Sequence, residues 1–283
     1  MKITFLGTGS AFCTKNYQTN IVLTNNDKNF LIDAGGDLKW SLKEAKLSYK
    51  SIDAVYITHL HSDHIGGLEH LAFCRYFDPL KNSDGEVQKI KLFGNSEMIL
   101  ELWDSSLKGG LKSIQGKQTS LMDFFDVVMV PKNSTFNWEG ITFNIVQSVH
   151  VMDGYSIVPS YGLLFSSPRS KKKIFYTGDT QFNPNQIIDF YNQADFIIQD
   201  CETLPFKSGV HANYEDLKTL SKEIKQKMVL VHYNDNIMDE LSEESYIYYE
   251  INNEWNLKAI KDGFMSLSPS KNGFVGKGLI LDI

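Results

Sequence analysis

The stretch "ITHLHSDHIGG" at positions 57–67 constrains this chain more than any other feature. It places three of the chain's seven histidines, together with an aspartate, within six positions. Imidazole and carboxylate are good ligands for zinc and similar divalent metals. Four such groups so close in sequence cannot all reach one ion without strain. Two ions fit better, with His59 and His61 on one and Asp63 and His64 on the other.

The cluster lies where a strand-like run gives way to a helix-like one. "DAVYIT" is rich in β-formers and "IGGLEHLAF" begins a helix, so the loop between them displays the four side chains. Gly66 and Gly67 predict a backbone that passes close to the site without side chains in the way. Three further ligand-type residues end β-like runs elsewhere in the chain: His150, Asp179 and His232. Their common context disfavours the alternative of a histidine-rich surface turn.

The rest of the chain predicts sheets covered by helices. Short β-forming runs such as "KITFLG", "NIVLTN" and "NFLIDAG" alternate with helical patterns such as "DLKWSLKEAKL" and "NYEDLKTLSKEIKQ". No repeat or linker is visible, so one domain over residues 1–283 is the simplest interpretation. Residues 104–126 are polar and hold three glycines. We interpret them as an excursion that shapes a pocket or meets a partner subunit, with an ordinary helix and loop as the alternative.

Composition narrows the class of function. The 283 residues carry a net charge of −6, which argues against broad electrostatic binding to a nucleic-acid backbone. No run approaches the ~18 apolar residues that cross a bilayer, and the N-terminal run is not a signal peptide. Cys13, Cys74 and Cys201 are odd in number and far apart, which favours reduced thiols in a cytoplasmic protein over a disulfide framework.

Together, "FLGTGSA", "LIDAGG", "THLHSDHIGG", the isolated His150, "YTGDT" and the late "VHY" resemble the metallo-β-lactamase superfamily. The resemblance implies an α/β fold of the αββα sandwich type with a two-metal site on one edge. It implies two Zn²⁺ ions, with manganese or iron as alternatives. Asp33 in "LIDAGG" resembles a residue that braces the ligand loop, although a turn-forming aspartate beside glycine is the simpler alternative. The implied ligands are His59, His61 and His150 for metal one, and Asp63, His64 and His232 for metal two, with Asp179 bridging them.

Within the superfamily, His211 favours one branch. It lies in a loop before a helix, as in tRNA 3′-endonucleases and their phosphodiesterase relatives, where the matching histidine assists the leaving group or grips the phosphate. The resemblance thus implies catalytic roles for His211 and for Asp63, with attack by a hydroxide held between two metals. His70, inside the following helix, is interpreted as structural. The long basic arm with which tRNA endonucleases grip tRNA is not found, and Arg169 with the lysines at 171–173 is interpreted as a solvated hairpin turn.

The region around 104–126 resembles that of phage-type anti-Pycsar phosphodiesterases, which cleave 3′,5′-cyclic nucleotides. That resemblance implies a homodimer that opens a small anionic nucleotide, counteracts cyclic-nucleotide immune signalling and works in the cytoplasm of the host if phage-encoded. Tyr155 and Tyr161 follow His150 and could stack on the base, with packing in the pocket wall or the core as the alternative. A tRNA 3′-processing endonuclease is the second hypothesis, and a sensor that keeps its metals but lost catalysis is the third.

Overall fold

The computed structural model describes residues 1–132, 134–243, 246–267 and 274–283. The first ten strands are β1 Lys2–Gly7, β2 Asn20–Asn25, β3 Lys28–Ile32, β4 Ala54–Tyr56, β5 Leu80–Lys81, β6 Val87–Gln88, β7 Ile90–Asn95, β8 Ser113–Ile114, β9 Lys117–Gln118 and β10 Phe125–Val130. The others are β11 Thr135–Trp138, β12 Ile141–Met152, β13 Ile157–Ser166, β14 Lys173–Tyr176, β15 Phe196–Asp200, β16 Met228–Val231, β17 Met238–Glu243, β18 Tyr246–Ile251 and β19 Ile280–Asp282.

Most helices are short. They are α1 Leu38–Glu44, α2 Ser62–Ile65, α3 Leu68–Phe77, α4 Ser96–Glu101, α5 Lys108–Leu111, α6 Leu121–Phe124, α7 Pro184–Gln193, α8 Tyr214–Leu217, α9 Lys222–Lys225 and α10 Asn253–Lys261. Two 3₁₀ turns lie at Tyr49–Ser51 and Asp235–Ile237, and a π-helical stretch lies at Leu102–Leu107. No helix in the described ranges is both long enough and apolar enough to cross a membrane.

Two large sheets form the centre of the molecule. One has the strand order β10-β7-β4-β3-β2-β1-β19 and the other the order β11-β12-β13-β14-β15-β16. In the first sheet β3, β4, β7 and β10 run parallel, and in the second β14, β15 and β16 do. β11 pairs with β12, and β13 with β14, in antiparallel register. The hairpin turn predicted at Arg169 and the lysines at 171–173 is confirmed, since it connects β13 and β14.

Side chains between the sheets are mainly aromatic. The Phe30 ring of β3 lies 5.0 Å from the Phe143 ring of β12, and Phe143 stacks on Phe136 of β11 at 4.9 Å between centroids. Alternation along β13 sends Leu163 into this core and Leu164 to the opposite face, as expected for strands covered on both sides.

Helices cover the outer faces of both sheets. On the first sheet α1 and α3 contribute buried residues such as Leu38 and Leu71 to the main core. On the second sheet α7 and α8 contribute Ile187, Tyr191 and Leu217 to a separate apolar cluster. The layers therefore follow the predicted order of helices, sheet, sheet and helices.

Two predicted elements differ in detail. The pattern "NYEDLKTLSKEIKQ" predicted one helix, but the structure divides it into α8 and α9. The Ser221 hydroxyl accepts a hydrogen bond from the Ile224 amide and so starts a new helix. The segment 104–126 predicted as an excursion is held to the body of the molecule, because Leu107, Leu111 and Phe124 are buried in the main core.

Candidate metal centre

The candidate ligands converge at one edge of the two sheets. The parallel strands β3, β4, β14, β15 and β16 end there, and each ends with or is followed by a polar residue of the site. Because parallel strands present their carboxyl ends at a common edge, residues far apart in sequence meet. These residues are Asp33, His59, Asp179, Asp200 and His232.

One group consists of His59, His61 and His150. The His59 Nε2 and His150 Nε2 atoms lie 3.0 and 3.1 Å from His61 Nδ1. Three nitrogens bound tetrahedrally to zinc at ~2.05 Å would lie ~3.3 Å apart, close to this spacing. His61 is exposed while the other two are buried, so the group opens to solvent on the His61 side.

The protonation of these imidazoles determines which ring nitrogen can bind a metal. His150 Nδ1 lies 2.8 Å from the Val210 carbonyl, which can only accept, so Nδ1 carries the proton and Nε2 keeps its lone pair. Burial lowers the pKa of His59 well below its usual value and also lowers that of His150. Neutral imidazoles with inward lone pairs are the form that binds a metal.

His150 lies inside β12, not at its end as the sequence predicted. The pairing of β12 with β13 shifts register between Val149 and Val151, so His150 occupies a β-bulge. A bulge inserts one unpaired residue and re-aims its side chain. Here it turns the imidazole towards His61.

A second group consists of Asp63, His64, Asp179 and His232, whose potential ligand atoms lie within 4.8 Å of one another. His64 Nε2 lies 3.1 Å from Asp63 Oδ2 and 3.3 Å from Asp179 Oδ2. His232 Nε2 lies 3.2 Å from Asp63 Oδ2. All four residues are buried.

His64 provides the test of whether a cation fits. Its Nδ1 donates to Asp33 Oδ2 at 2.8 Å, so in the neutral ring Nε2 carries a lone pair. Nε2 has no hydrogen-bond partner among the described residues, although two carboxylates face it. A lone pair directed at carboxylates is repulsive, and a divalent cation between them would relieve that repulsion.

The charge of the carboxylates points the same way. Burial disfavours the charged imidazole of His64, but Asp179, Asp63 and Asp33 outweigh it and raise its pKa well above the usual value. Burial also opposes ionisation of Asp63 and Asp179, yet the surrounding histidines keep the pKa of both carboxyls low. A negative field that retains a proton on a buried imidazole also favours a bound cation.

Asp179 lies at the centre of the cluster. Its Oδ2 is 3.3 Å from His64 Nε2, 3.5 Å from His232 Nε2 and 3.7 Å from His59 Nε2. One carboxylate oxygen thus touches members of both groups. This is the position that a bridging ligand requires.

Backbone strain marks two positions of the site. Asp33 and His232 have φ values of 61° and 62°, in the left-handed region that few non-glycine residues adopt. The strain at Asp33 aims its carboxylate at two partners, the Thr58 amide at 2.8 Å and His64 Nδ1. The bracing role expected of Asp33 therefore agrees with its contacts.

Gly66 and Gly67 pack against the loop that carries Asp33. A Cβ on Gly67 would lie 2.5 Å from the Gly35 carbonyl, and one on Gly66 would lie 3.0 Å from the Gly36 Cα. The close backbone approach predicted for these glycines is present, but it is towards this loop. The two glycine pairs let the loops after β3 and β4 lock together.

His211 stands beside the second group at its partly open side. Its Nδ1 lies 2.9 Å from Asp200 Oδ2 and 3.8 Å from Asp179 Oδ2, and the side chain keeps 19% of its exposure. Burial disfavours the charged ring, but Asp200 outweighs it and raises the pKa of His211.

Asp200 also belongs to the site, although the sequence pattern did not predict it. Its Oδ2 lies 2.9 Å from His211 Nδ1 and its Oδ1 lies 3.3 Å from His232 Nδ1, so one carboxylate faces two histidines. The available signal was its position at the end of "DFIIQD", the same strand-end context that identified Asp179 and His232.

Three other residues considered from the sequence lie outside the ligand cluster. Tyr161 is only 5% exposed and packs in the main core, so the base-stacking role is wrong for it and the core alternative is correct. Tyr155 is fully exposed at the β12–β13 turn. His70 lies outside the cluster, where its ring contacts the Cys74 sulfur at 3.6 Å.

Comparison with known proteins agrees with this geometry. The family model described as "Anti-Pycsar protein Apyc1" matches residues 1–250. Proteins of that name from Paenibacillus xerothermodurans and Bacillus phage 010DV004 are each 34% identical, covering 83% and 84% of this chain and 88% and 91% of their own lengths.

Solved structures confirm the fold. The metallo-β-lactamase fold protein YhfI from Bacillus subtilis superposes with a TM-score of 0.69 at 17% identity, covering 99% of this chain and 98% of its own. The short form of human tRNase Z gives 0.64 at 17% identity, covering 100% and 99%. The predicted αββα sandwich of the metallo-β-lactamase type is therefore correct, and the chain belongs to the anti-Pycsar protein Apyc1 family.

Proposed function

We propose that this chain is a metal-dependent phosphodiesterase that hydrolyses 3′,5′-cyclic nucleotides and so counteracts cyclic-nucleotide immune signalling. The observation that carries the proposal is a histidine outside both ligand groups, His211, fixed by Asp200 beside the bridging position of Asp179. The family supports the biological role, since its members from Paenibacillus xerothermodurans and Bacillus phage 010DV004 are named anti-Pycsar proteins.

The donor set suits two divalent ions. His59, His61 and His150 would hold one, and Asp63, His64 and His232 the other, with Asp179 between them. We propose zinc, because imidazole-rich sites suit it, with manganese or iron as alternatives. Ions bound there would activate a water for attack on phosphorus and offset the negative charge of the phosphate.

The protein's own residues would then orient the catalytic histidine and protonate the leaving group. Asp200 holds His211 through Nδ1, which leaves Nε2 free to face a substrate at the open side. A proton given by His211 to the leaving ribose oxygen would balance the breaking of the P–O bond. Asp33 would keep His64 in the tautomer whose Nε2 can act as a ligand.

A small substrate fits the chain better than tRNA. The net charge is −6, and the sequence lacks the long basic arm expected of a tRNA-gripping enzyme. The fully exposed Tyr155, five residues after His150, is available to stack on any base. We further propose that the protein is a homodimer and that it works in the cytoplasm. Light scattering would test the oligomeric state, and a monomer at all concentrations would contradict the homodimer.

The direct test is incubation of the metal-loaded protein with cAMP, cGMP, cCMP and cUMP, followed by chromatography of the products. Turnover of at least one is expected, and hydrolysis of none would refute the substrate class. A pre-tRNA in parallel tests the endonuclease hypothesis, which cleavage with a steep salt dependence would support.

Variants separate the proposed roles. His59→Ala and Asp179→Ala should abolish turnover and lower metal content. His211→Ala should lower turnover ~10²–10⁴-fold while metal content stays normal. Lys207→Ala, an exposed residue of the same loop, is the matched control. Loss of metal from His211→Ala would show that the residue is a ligand and not an acid. A His64→Ala variant that kept its full biological activity would favour the sensor hypothesis.

A further inference from the structure

A groove lies on the outer face of the first sheet, between α1, the 3₁₀ turn after it and α3. Its volume is about 280 Å³. Leu42 and Leu47 form part of an apolar lining, and polar groups from α1 and α3 complete it. None of its lining residues belongs to the metal cluster.

Trp40 is the most unusual residue of the groove. Its side chain is 52% exposed, although it belongs to a helix whose Leu38 and Leu42 are fully buried. Lys39 and Lys43 place their ammonium groups 5.0 and 5.9 Å from the centre of its ring. Both ammonium groups lie over the ring, so a ligand whose negative group reaches the lysines also meets an aromatic surface on which a flat ring can pack.

The groove is positively charged within an acidic protein. Lys39 and Lys43 make no ion pair among the described residues, while nearby carboxylates are engaged elsewhere. Glu44 pairs with Lys277 at 3.1 Å, and Asp78 pairs with Lys50 at 2.6 Å. His70 also lines the groove, where burial and the charge of Lys39 lower its pKa.

We propose that this groove binds a mononucleotide, with the base on Trp40 and the phosphate between Lys39 and Lys43. A volume near the lower limit of small-molecule pockets admits a base while the phosphate stays at the rim. The site is separate from the metal centre, so it goes beyond the proposed hydrolysis. The shared chemistry is an aromatic base carrying a phosphate, which either a cyclic substrate or a linear product supplies.

Binding is measured by quenching of tryptophan fluorescence and by calorimetry on the metal-loaded protein, with 5′-AMP, a hydrolysis-resistant cyclic AMP phosphorothioate and adenosine as probes. Saturable quenching by a phosphate-bearing probe is expected, because Trp40 is the most exposed tryptophan in the described ranges. Tighter binding of 5′-AMP identifies the product as the ligand, and tighter binding of the cyclic analogue identifies the substrate. Adenosine that quenches as strongly as either would overturn the proposal, because the lysines would then contribute nothing.

Variants assign the signal to the groove. Trp40→Ala should weaken the calorimetric affinity about tenfold, whereas Trp40→Phe should retain it while losing the fluorescence signal. The double variant K39Q/K43Q should weaken binding about fivefold. Lys46→Gln removes a neighbouring lysine outside the groove and should match the wild type. Unchanged affinity in Trp40→Ala, or equal losses in Lys46→Gln and the double variant, would exclude the site.

Discussion

Replacing Asp33 by asparagine should weaken one metal site selectively while the fold survives. The Asp33 carboxylate accepts from the Thr58 amide through Oδ1 and from His64 Nδ1 through Oδ2, both at 2.8 Å. An asparagine has only one oxygen for these two donors. The backbone at φ 61° is no obstacle, because asparagine tolerates the left-handed region as aspartate does.

Either orientation of the new amide carries a cost. If its oxygen stays with Thr58, its NH₂ group faces His64 Nδ1, which must then accept, so the imidazole proton moves to Nε2. That nitrogen points at Asp63 and Asp179, and once protonated it cannot bind a metal. If the amide turns over, two donors meet at Thr58, at a cost of ~1–3 kcal/mol for a buried unpaired group.

The expected loss is ~10–100-fold in the affinity of the ion at Asp63, His64 and His232, the usual effect of removing a residue that orients a ligand. This corresponds to ~1.4–2.8 kcal/mol. Competition with a chelator of known affinity, together with elemental analysis, measures both ions. The ion at His59, His61 and His150 should bind almost as in the wild type.

The matched control is Asp37→Asn, in the same loop. Asp37 Oδ2 accepts from the Gln18 amide at 2.8 Å, and an asparagine oxygen can do the same with no imidazole opposite. Wild-type affinity at both sites in Asp33→Asn would refute the tautomer argument. An equal loss in Asp37→Asn would show that the effect is a general one of the loop.

Three further outcomes are expected. Chelation should lower the melting temperature, because buried Asp63, Asp179 and Asp200 then face one another with less compensating charge, and added zinc should restore it in a concentration-dependent way; an unchanged melting temperature would argue against bound ions. Phe143→Ala should reduce the free energy of unfolding in urea by ~3–5 kcal/mol, since its ring packs between the sheets against Phe30 and Phe136; a loss below ~1 kcal/mol would contradict that packing. The Asp123 carboxyl should titrate by NMR with a pKa of about 2, because Lys117 and Ser120 hold it low. Its contribution to stability is therefore present above the unfolded pKa of ~3.9 and is lost as the pH falls towards 2. A titration midpoint near 4 would show that the Lys117 contact does not form.

The sequence predicted the fold and the meeting of seven side chains because both depend on strand order and strand ends. His59, Asp179 and His232 follow β-forming runs, and parallel strands bring such positions to one edge. Asp200 also stands at the end of a β-forming run, but its role could not be predicted. An isolated aspartate is recognised as a site residue only when its partners His211 and His232 are seen beside it.

Other features depend on three-dimensional packing that a one-dimensional pattern does not contain. The bulge at His150 shifts the strand register by one residue, and no residue type in "QSVHVM" predicts it. Tyr161 and Tyr155 are the same residue type six positions apart, yet one is buried between the sheets and the other is exposed. The break between α8 and α9 arises from the capping bond of Ser221, a residue type equally common within loops.

The first sheet is built mainly from residues before 131 and the second from residues 135–231, and the proposed cage draws on both. During synthesis on the ribosome, a chain that has emerged only as far as β10 can arrange His59 and His64 but lacks every group from the second sheet. Hydrolytic chemistry would begin only after His232 has emerged and the halves have docked. Truncated or stalled products should therefore lack hydrolytic activity.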